Sequence, residues 1–432
     1  MKVIKIFSAC LFLLPFVSCT QVTNDKGDTA IEKKVEALLS KMTLEEKLGQ
    51  MNQITSYGNI EDMSGLIKQG GAGSILNETD PVRINALQRV AIEESRLSIP
   101  LLMARDVIHG FKTIFPIPLG QAASFNPQVA EDGARVAAIE ASSVGIRWTF
   151  APMIDIARDP RWGRGMETYG EDPYLTSRMG VAVVKGLQGN DPKYFKTHAC
   201  AKHYAVHSGP EWNRHSFNAE DIDPRDLWET YLPAFKDLVQ KAGVKEVMCA
   251  YNRFEGLPCC NSDRLLMQIL RDEWGYEGLV VSDCGAIDDF FVKGRHETHK
   301  DAADASASAV INGTDLECGS IYSHLEEAVK QGLITEERID TSLRRLLKAR
   351  FALGEMDPDS IVPWSRISID TVDCDLHKQM ALDLARKSMV LLCNNGVLPL
   401  AKTGARIAVM GPNAVDSVMQ WGNYEGVPSH TY

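Results

Sequence analysis

Polar side chains stand where apolar runs of this sequence give out: Asp106, Arg158, Lys202 with His203, Tyr251 and Asp283. An aspartate in such a place is a candidate nucleophile, and arginine, lysine, histidine and tyrosine donate to hydroxyl oxygens. Carboxylates, cations and nearby Tyr and Trp suit a sugar, whose hydroxyls donate to the acids and accept from the bases while its C–H faces pack on rings. Phosphate fits worse, because there is no Gly-rich P-loop and carboxylates beside the cations repel an anion. Each residue also has an ordinary role. Asp283 reads as a helix N-cap or turn former, Arg158 as a loop ion-pair arginine, and Lys202 or His203 as a polar strand end. Their recurrence at the ends of separate runs points to one pocket.

Such residues converge if the runs are strands of one parallel barrel, in which reacting groups gather at the carboxyl ends. Strands are expected at 71–76, 99–106, 146–157, 198–204, 244–252, 278–284 and 313–319. Amphipathic helices lie between them. Thr43 with Glu46 forms a capping box, and Asp223–Pro224 opens a helix whose Leu227, Tyr231, Phe235, Leu238 and Val239 share a face and which Gly243 ends. Strand then helix, repeated, implies an α/β fold, a TIM-type (β/α)8 barrel over residues 35–354. A turn-rich linker follows at 355–376. Residues 377–432 read as a helix and then a strand, ARIAVMGPNA, the shortened start of an α/β sandwich domain.

The chain has 432 residues, 44% of them hydrophobic and 24% charged, a globular composition; its net charge of −11 argues against nucleic acid or anionic lipid as partner. A neutral oligosaccharide is the expected small-molecule partner. Residues 1–19 carry Lys2 and Lys5 and then an apolar run too short to span a bilayer, the outline of a secretory signal. Ser18 before Cys19 resembles a lipoprotein cleavage box, with Cys19 as the candidate lipid anchor and ordinary cleavage nearby as the alternative. Residues 20–34 read as a polar tether. The expected location is therefore the periplasm or the outer membrane. Eight of the ten cysteines lie beyond the leader, where disulfides can persist, and no spacing suits a zinc site. No metal or cofactor is expected, and the pairing of adjacent Cys259 and Cys260 is open.

The motifs ARDVIHG (104–110), APMIDIARDPRWGRGMETYGEDPYL (151–175), CAKHYAVHSG (200–209), VMCAYN (247–252) and VVSDCGA (280–286), in this order, resemble glycoside hydrolase family three across roughly residues 35–425. The resemblance implies a retaining β-glycosidase in which Asp283 attacks the anomeric carbon. It implies that Asp106, Arg158, Lys202 and His203 bind hydroxyls of the terminal sugar and that Tyr251 stands beside the nucleophile. A second carboxyl, about 5–5.5 Å away, is required as acid and then base.

In most two-domain members that acid is a Glu of the second domain, and no such residue is identified in this chain. A hexosaminidase branch uses an Asp-x-His dyad; here Asn213 precedes His215, so that mechanism is not assigned. Glu211 and Glu220 are weaker substitutes, better read as surface or sugar-orienting groups. Asp283–Cys284 and Glu317–Cys318 end neighbouring strands about 4.8 Å apart, which predicts a Cys284–Cys318 disulfide. The SDC motif with a later D-x-E-C-G resembles the β-xylosidase branch, while Asp106 in DVIHG resembles the β-glucosidase pattern. The expected activity is exo-hydrolysis of terminal β-D-glucosyl or β-D-xylosyl residues. Its alternatives are a catalytically dead sugar-binding remnant and a lyase or aldolase using Lys202 in a Schiff base.

Overall fold

Short runs of residues buried on both faces, separated by helices, pair in parallel and curl until the first meets the last. A computed structural model describes residues 25–404 and 406–431. The barrel strands are β1 (Asn52–Thr55), β2 (Ser74–Leu76), β3 (Leu102–Arg105), β4 (Trp148–Thr149), β5 (His198–Tyr204), β6 (Glu246–Cys249), β7 (Leu279–Ser282) and β8 (Glu317–Cys318). They run in the order β8-β1-β2-β3-β4-β5-β6-β7, each parallel to the next. A bridge between Val281 and Leu316 joins the two ends, so the sheet is a (β/α)8 barrel. Ile75, Met103, Trp148, Cys200, Val247, Val280 and Val281 are fully buried, as strands inside a jacket of helices must be.

Seven strands lie within the expected segments, mostly shorter. The strand not foreseen is β1, whose NQIT carries two amides that read as polar, yet Asn52 and Gln53 are buried. The capping box at Thr43 forms, and Leu227, Phe235 and Leu238 are buried with Gly243 as left-handed cap. The expectation of a tether over 20–34 is corrected from Asp25 onward: Asp25–Leu39 is a helix. Ile31, Val35, Leu38 and Leu39 form its apolar stripe and pack on the core, which pays for ordering an otherwise polar segment. The leader and Cys19 lie outside the described residues, and among the described residues no helix is long and apolar enough to cross a membrane.

Helix Glu336–Leu353 ends at Gly354 in the left-handed conformation, next to the boundary expected near 355. The linker is pinned along the barrel: Trp364 donates to the Tyr194 carbonyl at 2.9 Å and Val362 is fully buried. Helix Asp375–Ser388 follows. The strand expected in ARIAVMGPNA is not seen among the described residues, where Ile407, Val409 and Met410 are exposed. A lone strand has no neighbour to satisfy its backbone.

The barrel closes on Asp315. Its N–H donates to the Val280 carbonyl at 2.8 Å, its carboxylate accepts from the Val280 N–H at 3.0 Å, and it pairs with Arg271 at 2.7 Å and Arg345 at 2.8 Å. Asp315→Ala leaves the buried Arg271 without its counter-charge and is expected to cost about 3–5 kcal/mol. The measurement is the urea midpoint at unchanged slope. A cost under about 1 kcal/mol, the range of exposed pairs, would show that this cluster does not hold the seam.

Candidate active site

Several strand ends deliver side chains to one mouth. Asp283 directly follows β7. Its N–H donates to the Cys249 carbonyl at 3.1 Å, and its Oδ1 accepts the Cys284 N–H at 2.8 Å. Oδ2 is buried, finds no hydrogen-bond partner among the described residues, and faces His203 Nε2 at 3.4 Å. Burial pushes the Asp283 pKa above its ordinary value; Arg164 and Lys202 pull it back without cancelling the effect.

The register of β5 against β6 slips between Lys202 and Tyr204, a bulge that lets two consecutive residues serve one mouth. The Lys202 ammonium bonds Asp106, which follows β3. Burial disfavours the ammonium, but Asp106 outweighs it and the Lys202 pKa stays raised. A lysine so held keeps its proton, contrary to what the Schiff-base reading needs. His203 Nδ1 is 2.9 Å from Asp155, which also accepts the His203 N–H at 3.0 Å. Burial lifts Asp155 and drops His203 well below its usual value, so the imidazole is neutral. Tyr251 donates to the Cys284 carbonyl at 2.8 Å, and burial together with Asp283 keeps its phenol protonated. Cys284 and Cys318 are disulfide-bonded, with Cα atoms 4.5 Å apart. Cys260 pairs instead with Cys249, leaving Cys259 as a buried free thiol.

One expected residue is not there. Arg158 is corrected: it turns outward, pairs with exposed Asp226 at 3.3 Å and lies over the Tyr231 ring. The same RDPRWGR motif holds two further arginines: exposed Arg161 pairs with Asp159, and Arg164 returns inward. Arg164 is buried against Glu167 at 2.9 Å and reaches His207 Nε2 at 3.2 Å. Since His207 Nδ1 meets the Asn252 amide oxygen at 3.0 Å, the ring donates there and accepts from Arg164; burial lowers its pKa to about 3. All three arginines match "an arginine after β4" equally, and only the path of the loop separates them.

Glu211 and Glu220 are committed elsewhere: Glu211 accepts from Trp162 Nε1 at 3.0 Å, and Glu220 from Asn218. A carboxylate does stand against His215, but it is Asp289, at 2.8 Å, rather than a neighbour in the chain. The His215 ring packs edge-on against Tyr251, centroids 4.7 Å apart. Among the described residues, no cluster of His, Cys, Asp and Glu could hold a metal ion.

The fold and this mouth define a class, a parallel α/β barrel with a buried carboxylate among cations at its carboxyl rim. Residues 43–349 match the family described as "Glycosyl hydrolase family 3 N terminal domain". The chain belongs to glycosyl hydrolase family 3. It is 52% identical over 343 residues to a xylan 1,4-beta-xylosidase of Xylanibacter ruminicola, covering 74% of this chain and 39% of that protein. It is 39% identical over 389 residues to a periplasmic beta-glucosidase of Salmonella typhimurium, covering 88% of this chain and 50% of that protein. Among solved structures it resembles the beta-glucosidase of Listeria innocua in complex with glucose, with TM-score 0.83, 34% identity, and 91% of this chain and 57% of that one covered. The chain thus spans about half the length of the relatives it matches, or less.

Arg158 and Arg164 make opposite predictions. A cation favours the ionised carboxylate, so Arg164→Gln should raise the Asp283 pKa further while Arg158→Gln leaves it in place. Carbonyl NMR of protein labelled with 13C-aspartate reads both. An unmoved Asp283 in Arg164→Gln would remove Arg164 from the site's electrostatics.

Proposed function

We propose that the protein is an exo-acting retaining β-glycosidase that removes terminal β-D-glucosyl or β-D-xylosyl residues from oligosaccharides, with Asp283 as nucleophile. The observation that carries this reading is the unpartnered Oδ2 of Asp283, buried at the barrel mouth between Arg164, Lys202 and His203. In the first step Oδ2 bonds to C1, the glycosidic C1–O bond breaks, and the leaving oxygen takes a proton from an acid. In the second, water attacks C1, gives up a proton, and frees the Asp283 carboxylate. Lys202 with Asp106, His203 with Asp155, and Arg164 with Glu167 orient the ring by donating to and accepting from its hydroxyls. Their fixed positions favour the oxocarbenium-like transition state over the ground state. The names of the relatives support both sugars. Export to the periplasm, with lipid at Cys19 as anchor, agrees with the leader and with the periplasmic beta-glucosidase relative.

The acid/base residue is not identified in this chain. The carboxylates around Asp283 are engaged: Asp106 by Lys202, Asp155 by His203, Glu167 by Arg164, and Asp289 by His215 and Arg295. This favours a second reading, a sugar-binding remnant without turnover. Aryl glycosides with good leaving groups need little protonation and separate the two. A nucleophile working without its acid turns these over and leaves disaccharides intact; a remnant leaves both.

A 2-fluoro-glucoside or 2-fluoro-xyloside should become attached to Asp283, found by peptide mass spectrometry, and Asp283→Asn should abolish the adduct. Attachment elsewhere removes Asp283 from the role. Because burial raises the Asp283 pKa and only the ionised form attacks, the rate of adduct formation should fall off on the acid side above the ordinary carboxylate value of about 4. An acid limb at or below that value would contradict the buried, partly desolvated nucleophile.

A further inference from the structure

After helix Asp375–Ser388 the chain runs exposed past Leu391, Leu392, Ile407 and Val409, then turns back into the barrel mouth at Gly422–Val427. This return is built in several places at once. The His109 ring lies between the carbonyls of Phe115 and Asn423, at 2.9 and 2.8 Å. Asn423 donates to Glu167, the partner of Arg164. The Val427 N–H donates to the Phe111 carbonyl at 2.6 Å. Gly426 passes so close to Phe111 that an added Cβ would lie 2.0 Å from its carbonyl oxygen. Between these anchors Tyr424 is held at φ +50°, a left-handed conformation that a tyrosine adopts only when its surroundings impose it.

What the strain delivers is an aromatic ring to the site cations. The Tyr424 ring centroid is 4.7 Å from the Lys202 ammonium and 5.9 Å from the Arg164 guanidinium carbon, and its hydroxyl accepts from Arg164 Nη2 at 3.1 Å. Lys202 and Arg164 are the two cations that face Asp283. We propose that Gly422–Val427 is a strap forming one wall of the sugar site, and that Tyr424 is its positioning residue, holding Lys202 and Arg164 in place for the sugar. This rests on the reading of the pocket as a sugar site.

The test measures binding of isofagomine and of its five-carbon xylose-type analogue by titration calorimetry, with melting temperature followed in parallel. The ring–ammonium contact lies out of water, where its loss is worth about tenfold in affinity. Tyr424→Ala is therefore expected to weaken the better-bound probe about tenfold. Tyr424→Phe, which keeps the ring, should restore most of that loss. Gly426→Val, which pushes the strap off Phe111 without altering Tyr424, should reproduce the alanine result. With an aryl glycoside the loss should appear in KM more than in kcat. A role in folding alone would lower the melting temperature of Tyr424→Ala while its affinity stayed at the wild-type value, and that result overturns the proposal. Wild-type protein that binds neither probe overturns the sugar-site reading itself, and the strap with it. Wild-type binding with unchanged Tyr424→Ala binding overturns the strap alone.

Discussion

A barrel has to close, and here it closes on its weakest pair of strands. β7 and β8 share a single bridge, so side chains do what a longer ladder would. Asp315 holds the backbone of Val280 and two arginines. The Ser282 hydroxyl accepts the Cys318 N–H at 3.1 Å, the Gly285 N–H donates to the Cys318 carbonyl at 2.9 Å, and Cys284 is covalently joined to Cys318. Asp283 lies between Ser282 and Cys284, fixed from both sides and across the seam. The residue assigned the bond-forming role is thus set by the same contacts that make the sheet a barrel. A nucleophile carried on rigid strand ends needs no rearrangement to present its oxygen.

Around that oxygen the pocket is buried and charged, and each cation has a keeper. Lys202 is held by Asp106 and Arg164 by Glu167, with neutral His207 accepting from Arg164 and neutral His203 fixed by Asp155. Burial raises the cost of every unpaired charge, which is why the cations are paired and why the unpartnered oxygen of Asp283 is informative. A carboxylate left with a free oxygen in such surroundings is poised against something other than its neighbours. Lys202 and Arg164 have each met a counter-charge already, which fits the proposed neutral hydroxyls better than a free anion.

Much of the fold was legible in the chain because strand ends and the candidate site residues coincide. VVSDC, AKHY and VMCAYN each print an apolar strand and its reactive end in consecutive residues. The failures share a cause, which is that sequence order does not report direction. In RDPRWGR three arginines follow β4, and only the loop's path sends Arg158 out to Asp226, Arg161 to Asp159 and Arg164 in to Glu167. β1 was hidden by buried amides, Cys249 because it reads as one more apolar strand residue, and Asp289 by its separation from His215. Residues 25–34 looked like a tether because polar residues outnumber the apolar ones, yet Ile31 starts a helical spacing that Val35, Leu38 and Leu39 continue. Tyr424 carried no signal, since nothing in GNYEGV says that a segment so far along the chain returns to the mouth.

The claim at the centre is that the seam presents one oxygen, Oδ2 of Asp283, to the anomeric carbon of a sugar. A crystal structure of the protein reacted with a 2-fluoro-glycoside tests it most directly. The account predicts continuous density from Oδ2 of Asp283 to C1, with ring hydroxyls on Asp106, Lys202 and Arg164. A sugar seated elsewhere, or an Asp283 carboxylate swung away to pair with Arg164 while the sugar occupies the mouth, would contradict it.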